Sequence, residues 1–318
     1  MIISRDLKGL KFDKKSAVTI GTFDGFHLGH QQIIEEMTVI KNISGCRTVV
    51  VTFDPHPQIV LKNKLSHNSD SVKILSTTEE KLNLFEKAGI DEACIFTFDE
   101  KFASIPADIF FEDRIMKTIG LSDFVIGYDH LFGKNKEGSI ETVKMLSQKH
   151  GFRVHKVHEF MLDSEIVSST LIRKFISSAE IIKANASLRR YYSLTGKVIH
   201  GEKRGAAMGY PTANIEVNDK HKLIPSVGIY AVRVTIKDEV LYGMMSIGFN
   251  PTFNQNQKQS LEVNIFDFDR DIYDEEIKVE FIEYIRNEEK FDTVDLLVKK
   301  ISSDKEKTLS IINKLHVN

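Results

Sequence analysis

Residues 21–30 read G-T-F-D-G-F-H-L-G-H, and the apolar run A-V-T-I leads directly into them. The run over 17–23 predicts a buried strand. Apolar residues at helical spacing over 28–43 predict a helix after it. Strand, glycine-rich turn and helix in that order is how a parallel α/β layer begins, and the chain repeats the alternation. Short runs rich in Val, Ile and Phe at 48–53, 93–98, 124–127 and 152–157 predict four more buried strands. Between them, residues 77–88 open with T-T-E-E, which supplies a cap and negative charge for a helix start, and Gly89 follows. Pro106 can occupy the first turn of a helix running to about 118, with Gly120 as its stop, and 141–150 is a further helix closed by glycine. This half is therefore expected to be α/β, a parallel sheet covered on both faces that binds ligands beyond the carboxyl ends of its strands.

The pattern changes near residue 190. Helical residues over 168–190 give way to T-G-K-V-I-H-G, and strands then follow without intervening helices at 229–236, 240–247, 261–268 and 277–285. These predict a small antiparallel barrel or sandwich. Residues 292–315 read as one or two closing helices, with Leu296, Leu297, Ile301, Leu309 and Ile312 as core positions. Lys299, Lys300 and the charges of 304–307 read as a solvated helix face. The polar segments 62–71 and 254–260 read as mobile loops. The expected domains are residues 1–186 and 187–318.

Composition narrows the partners. A chain of 318 residues can bury two cores. A net charge of -2 leaves no broad basic face for nucleic acid, so an anionic ligand must be held by local groups. No apolar run reaches 18 residues, so no membrane span is expected, and the charged start lacks the apolar stretch of a signal peptide. Cys46 and Cys94 stand isolated in apolar stretches, which suits a reduced, cytoplasmic setting better than a disulfide framework.

The chemistry starts at the first turn. Gly21, Gly25 and Gly29 allow a tight turn and close approach of backbone to a ligand. The helix start offers free N–H groups and partial positive charge, which suit a phosphate. His27 and His30, three apart, face the same way on one helical turn and can donate to a triphosphate. A lone H-x-G-H fits a capped helix with two satisfied histidines equally well; the strand and glycines around it favour the ligand site. A zinc pair would sit four apart with an H-E-x-x-H pattern, which is absent. In the second half, Glu262 sits in an otherwise apolar strand. A buried carboxylate needs a partner or a task, and taking a proton from a hydroxyl nucleophile is such a task; a solvent-facing strand position is the bland alternative.

These stretches resemble a known family. G-x-F-D-G-x-H-x-G-H is similar to the signature of the prokaryotic FAD synthetase branch of the H-x-G-H nucleotidyltransferases. So are T-F-D-P-H-P at 52–57, F-V-I-G-Y-D-H-L-F-G-K-N-K-E-G at 124–138 and V-S-S-T-L-I-R at 167–173. Read alone, S-S-T-L-I-R is a good helix cap, and cap and phosphate site use the same N–H groups. G-E-K-R-G-A-A-M-G-Y-P-T-A-N-I at 201–215 resembles the riboflavin kinase signature. The companions P-S-V-G-I-Y, S-I-G-F-N-P-T-F, S-L-E-V-N-I-F-D-F and I-R-N-E-E-K-F-D follow in that family's order.

The resemblance, to the bifunctional riboflavin kinase/FAD synthetase family, spans about residues 15–305. It implies a Rossmann-like nucleotidyltransferase domain followed by a β-barrel kinase. Riboflavin and ATP would give FMN in the second half, and FMN and ATP would give FAD in the first, with Mg²⁺. For the first site it implies nucleotide contacts at Phe23, Asp24, Gly127, Asp129, Ser169, Thr170 and Arg173, beside the glycines and histidines already named. For the second it implies Gly201, Lys203, Gly209 and Pro211 in the nucleotide loop, Thr212 and Asn214 on Mg²⁺ and phosphates, and Glu262 as the base. Departures are Leu131 and Lys136, where the family often has arginine, the loop R-G-A-A-M-G, and Ser246 and Asn250. A flavin-binding or regulatory protein on the same fold is the alternative from another class. It would not need those histidines or Glu262. The expected assembly is a monomer or weak homo-oligomer.

Overall fold

Five all-buried residues, S-A-V-T-I, form the second strand of the first half, and they set the plan of that half. In the computed structural model, which describes residues 1–66, 72–128, 132–134, 137–201, 205, 208–249 and 259–317, the chain divides into the units Met1–Ser169 and Thr170–Asn318. The first unit carries β1 (Ile2–Arg5), β2 (Ser16–Ile20), β3 (Arg47–Asp54), β4 (Glu92–Thr97), β5 (Asp123–Gly127) and β6 (Arg153–Val157) in the order β1-β4-β3-β2-β5-β6. Every pairing is parallel.

Successive side chains go to opposite faces of this sheet, so each face has its own core. Val18, Ile20, Val49 and Val51 pack with Phe110, Phe111, Ile115 and Ile119 on one side. Ala17 and Val50 pack with Ile33, Ile34, Met37 and Ile40 on the other. Those last four belong to α1 (Leu28–Ser44), which Gly45 ends in the left-handed region. The helices that follow are α2 (Pro57–Ser66), α3 (Thr78–Lys87), α4 (Glu100–Ala103), α5 (Ala107–Phe110) and α6 (Ile140–His150). A two-strand hairpin, β7 (Met161–Leu162) with β8 (Glu165–Ile166), closes the unit.

Thr77 and Glu80 make the reciprocal capping box that T-T-E-E foretells. The helix expected from Pro106 splits into α5 and a π-helical stretch, Phe111–Ile119. Gly120 stops it at φ +84, and a Cβ there would lie 2.2 Å from the Asp13 carbonyl. β1 escaped the sequence reading because four residues beside a charged run carry too little period, and its Ile2 and Ile3 are exposed at the sheet edge. The expected loop at 62–71 is helical as far as Ser66; once Pro57 starts the helix, polar residues extend it. Residues 67–71 lie outside the described residues.

The second unit begins with α7 (Ser169–Ser177, whose first residue closes the other unit) and α8 (Ile181–Leu188). Six antiparallel strands then close into a barrel in the order β10-β13-β12-β11-β14-β9. They are β9 (Tyr192–Ile199), β10 (Ala213–Glu216), β11 (Gly228–Ile236), β12 (Glu239–Phe249), β13 (Gln259–Ile265) and β14 (Glu276–Arg286). Tyr230, Val232, Val234, Met245, Val263, Val279 and Phe281 fill it.

One helix, α9 (Val294–Val317), closes the unit. Its inward face keeps Ile312, as expected, but otherwise differs: Leu296 and Leu309 are exposed, while Asp304, Thr308 and Ile311 are buried. Arg286 at the end of β14 grips the Asp304 carboxylate, with Nε at 2.9 Å and Nη2 at 2.8 Å from Oδ2. That pair turns the helix so that a charge lies inward, and Asp304 is no solvated position. Of the predicted mobile loop at 254–260, residues 259–260 begin β13 and the rest lie outside the described residues.

Candidate functional sites at a helix start and on a barrel face

Where β2 ends, the chain turns through residues that ordinary side chains avoid. Phe23 (φ +48), Gly25 (φ +82) and Phe26 (φ +41) all lie in the left-handed region. For a phenylalanine this is strained, and burial holds it: Phe23 and Phe26 pack edge-on against Phe85, each with centroids 5.5 Å apart. Gly21 is needed for closeness, since a Cβ there would touch the Phe23 ring at 3.0 Å.

The turn delivers His27 to the cap position of α1 and His30 to its first turn, with no acidic residue in that turn. The two imidazoles stack, centroids 3.7 Å apart at 22°, and Phe23 lies against His30 at 5.1 Å. Gly29 leaves room beside the His27 ring, which a Cβ would meet at 3.3 Å. Gly127 ends β5 against Ile33 of α1.

Residues 75–81, whose sequence marks only a helix start, bond to this turn. Asp24, 1% exposed, accepts at Oδ1 from the backbone N–H groups of Leu75 (2.8 Å) and Ser76 (3.0 Å). The Gly25 N–H donates to Ser76 Oγ at 3.0 Å. Ser169 Oγ donates to the Asp24 carbonyl at 2.8 Å. Lys81 of α3, 3% exposed, donates from Nζ to the Thr22 carbonyl at 3.1 Å. Burial pushes the Lys81 ammonium below its ordinary pKa, against the pull of Asp24 and Asp54.

Thus Gly21, Phe23, Asp24, Gly25, His27, Gly29, His30 and Ser169 gather at the carboxyl edge of the sheet. Thr170 and Arg173 lie on α7 in the second unit. Asp129, Leu131 and Lys136 lie outside the described residues.

The second cluster is built by strand register. Asn214 stands opposite Glu262 across β10 and β13, and Glu262 stands opposite Ser246 across β13 and β12. Three side chains from three strands therefore share one rung and one face. Thr212, two residues before Asn214, joins them: its Oγ1 donates to Glu262 Oε2 at 3.1 Å. Asn264 Nδ2 donates to the Pro211 carbonyl at 2.7 Å and pins the P-T-A-N segment to β13.

Gly201 abuts this cluster. A Cβ there would lie 2.0 Å from Asn214 Nδ2, so the backbone passes directly over that amide. Gly205 is close as well, with a Cβ 3.4 Å from Thr212 Oγ1, and Gly209 turns at φ +81. Glu288 fills the space above Gly248, two residues along β12 from Ser246, where a Cβ would lie 2.7 Å from its Oε1. Glu262 is half-buried rather than enclosed.

Hydroxyl, amide and carboxylate oxygens suit a hard divalent cation that keeps other ligands of its own. No group of three or more His, Cys, Asp or Glu residues among the described residues could hold a metal by itself. Lys203 and Asn250 lie outside the described residues.

Among the described residues neither cluster contains a Ser-His-Asp or Cys-His arrangement. Cys94 is a buried thiol whose pKa burial raises to about 11, far from an active nucleophile. No helix among the described residues is long and apolar enough to cross a membrane.

Residues 10–171 match the FAD synthetase family and residues 188–312 the riboflavin kinase family. A bifunctional riboflavin kinase/FMN adenylyltransferase of Listeria monocytogenes is 37% identical over 303 residues, covering 95% of this chain and 94% of that one. The Bacillus subtilis protein of the same description is 33% identical over 304 residues, with the same coverage. A crystal structure from Streptococcus pneumoniae, described as a macrolide-efflux protein, superposes with a TM-score of 0.88 at 32% identity, over 97% of this chain and 99% of that one. Its description speaks of efflux, but what it shares with this chain is the fold of both halves. With each cluster inside its matching segment, the chain belongs to the bifunctional riboflavin kinase/FMN adenylyltransferase family.

Proposed function

We propose that the chain builds flavin cofactors in two steps: riboflavin and ATP give FMN and ADP in the C-terminal half, and FMN and ATP give FAD and pyrophosphate in the N-terminal half. The observation that carries this reading is the Thr212–Glu262 hydrogen bond beside Asn214, which places a half-buried carboxylate in the C-terminal cluster, whereas the carboxylate of the N-terminal cluster, Asp24, accepts from the backbone N–H groups of Leu75 and Ser76. The two nucleophiles differ in the same way.

The riboflavin nucleophile is a hydroxyl. Its oxygen bonds to the γ-phosphorus as the bond to the ADP oxygen breaks, and Glu262 takes the released proton. The FMN nucleophile is an ionised phosphate. Its oxygen bonds to the α-phosphorus, pyrophosphate leaves, and no proton needs removing. His27 and His30, at the start of α1, donate to the phosphate oxygens as charge builds.

Asp24 acts on the turn that carries the histidines, because its carboxylate is spent on backbone N–H groups. Thr212 and Asn214 would hold Mg²⁺, which when bound offsets the charge of the nucleotide phosphates. We place the functional boundary at 186/187, supported by a riboflavin kinase match that begins at 188. A cytoplasmic monomer or weak homo-oligomer completes the proposal; two free, buried thiols suit a reducing compartment.

Chromatography of products from riboflavin, ATP and Mg²⁺ tests the reading. FMN should accumulate first and FAD later. Purified protein that leaves riboflavin untouched, and FMN untouched when it is supplied, ends it.

A further inference from the structure

A lysine is an expensive way to fill a core. Lys81 is 3% exposed, and no carboxylate forms an ion pair with it among the described residues; Asp24 and Asp54 act on it only through space. A methionine would occupy nearly the same volume without taking a charge out of water. What only the ammonium supplies is its set of bonds. Nζ donates to the Thr22 carbonyl at 3.1 Å and reaches Thr52 Oγ1 at 3.4 Å. Thr22 follows the end of β2, and Thr52 lies near the end of β3. Lys81 therefore ties together the two strand ends from which the G-T-F-D-G and T-F-D-P-H-P stretches leave.

The rest of its segment grips the same turn. Leu75 and Ser76 N–H groups hold the Asp24 carboxylate, and Ser76 Oγ holds the Gly25 N–H. The Thr77–Glu80 capping box fixes where α3 begins, and so where Lys81 stands one residue later. The held turn is the one with Phe23, Gly25 and Phe26 in the left-handed region, a conformation that needs outside support.

We propose that residues 75–81 form a positioning clamp for the adenylyl-transfer turn, with Lys81 as the key residue. This rests on the reading that the N-terminal half adenylylates FMN. The clamp touches no substrate. It holds the backbone of residues 22–25 so that His27 and His30 meet the phosphates correctly. Its loss should therefore slow the chemical step more than it weakens binding, since a displacement of about 1 Å at a reacting centre can cost on the order of 100-fold.

The test is Lys81→Met in the full chain. FMN-to-FAD and riboflavin-to-FMN turnover are measured separately, with thermal unfolding recorded alongside. The expected result is a kcat for FAD formation about 30- to 100-fold lower, KM values for FMN and ATP within about threefold, kinase turnover unchanged, and a melting temperature equal to or above that of the wild type. An unchanged kcat overturns the proposal. So does a raised KM at unchanged kcat, or a melting temperature that falls in step with activity, which would make Lys81 a structural strut. Should the variant lose the melting transition of its N-terminal half, Ser76→Ala takes its place. There the transition should survive with kcat about 3- to 10-fold lower, and unchanged kcat again overturns the clamp. Wild-type protein that does not turn over FMN and ATP would instead remove the functional reading on which the clamp rests.

Discussion

On the proposed reading the two clusters solve one problem, holding nucleotide phosphates, with opposite materials. The N-terminal one is made of backbone: a helix start, three glycines and a strained turn, with two stacked imidazoles as its side-chain chemistry. The C-terminal one is made of side chains on strands, where register places Ser246, Glu262 and Asn214 on one rung and Thr212 hydrogen-bonds to the carboxylate. The turn of the first cluster is hydrogen-bonded by a segment distant in sequence, residues 75–81, the clamp proposed above. A barrel rung is held by its own ladder. The difference teaches that position and proton transfer are supplied separately: the half whose nucleophile is already ionised needs placement, and the half whose nucleophile is a hydroxyl needs a base.

The strongest way to break this contrast is to remove both histidines. His27→Ala with His30→Ala should lower FAD formation from supplied FMN by at least about 10⁴-fold, because each donor to a developing charge is worth on the order of 10²–10³. Riboflavin phosphorylation, followed by FMN release, should be unchanged. Retained FAD synthesis would strip the histidines of their role. The converse change, Glu262→Gln, keeps shape and removes the proposed base. FMN formation should fall on the order of 10³-fold, within the span expected of general-base catalysis, while supplied FMN still becomes FAD. Equal loss of both activities would mean that the clusters are not separate sites.

How much of this was legible depended on which residues carried the signal. The inner sheet strands β2 to β5 were readable because both faces are buried, giving unbroken runs such as T-V-V-V-T-F. β9 and β10 were not. Y-S-L-T-G-K-V-I alternates as a half-buried strand does, but a glycine and a lysine interrupt it. A-N-I-E is four residues long and includes a residue that strands disfavour. The histidines, P-T-A-N and Glu262 were readable as motifs.

The clamp was not legible. Nothing local marks Ser76 and Lys81 as partners of a turn 51 and 59 residues earlier. A lysine on an amphipathic helix reads as solvent-facing until the fold shows it buried. Asp304 misled in the same manner, since only Arg286, 18 residues away, turns it inward. Long-range polar pairs are what periodicity cannot see.

A finer probe of the barrel face is Gly201→Ala. The new Cβ would fall 2.0 Å from Asn214 Nδ2, and a side-chain amide yields more easily than a strand does. The barrel should fold normally with Asn214 displaced. Kinase kcat/KM for ATP should drop about 10-fold, roughly the 1.4 kcal/mol that one good polar contact provides, and FAD formation from FMN should hold. A variant with full kinase activity would show that Asn214 need not stand where it does.

The smallest effect on activity belongs to a polar cluster at the other end of the sheet, and it tests whether placement at the carboxyl edge is independent of stability. Asp123 begins β5 and its side chain is fully buried. Arg153 donates to it from Nε at 2.8 Å and from Nη2 at 2.9 Å, Ser122 Oγ donates at 2.8 Å, and His155 lies at 2.8 Å. His155 also faces Glu36 of α1 at 3.4 Å. Burial alone would raise the Asp123 carboxyl, but the bonds from Arg153, His155 and Ser122 outweigh it and hold the group below its ordinary value.

A carboxyl lowered in the folded state adds stability that is fully present above its unfolded pKa, about 4, and is lost as pH falls through the folded value. Asp123→Asn should therefore cost about 1–3 kcal/mol at neutral pH, seen as a melting temperature lower by several degrees in the N-terminal transition. The gap to wild type should begin to narrow as the melts are repeated below about pH 4 and close only as the pH falls through the lower, folded value. FAD formation at 25 °C should stay within about twofold, because a loss of about 1–3 kcal/mol leaves a domain of ordinary stability folded. Should turnover collapse while the domain remains folded, the sheet would be transmitting strain from β5 to the histidine turn, and the contrast between a clamped turn and a self-supporting rung would have to include the whole sheet.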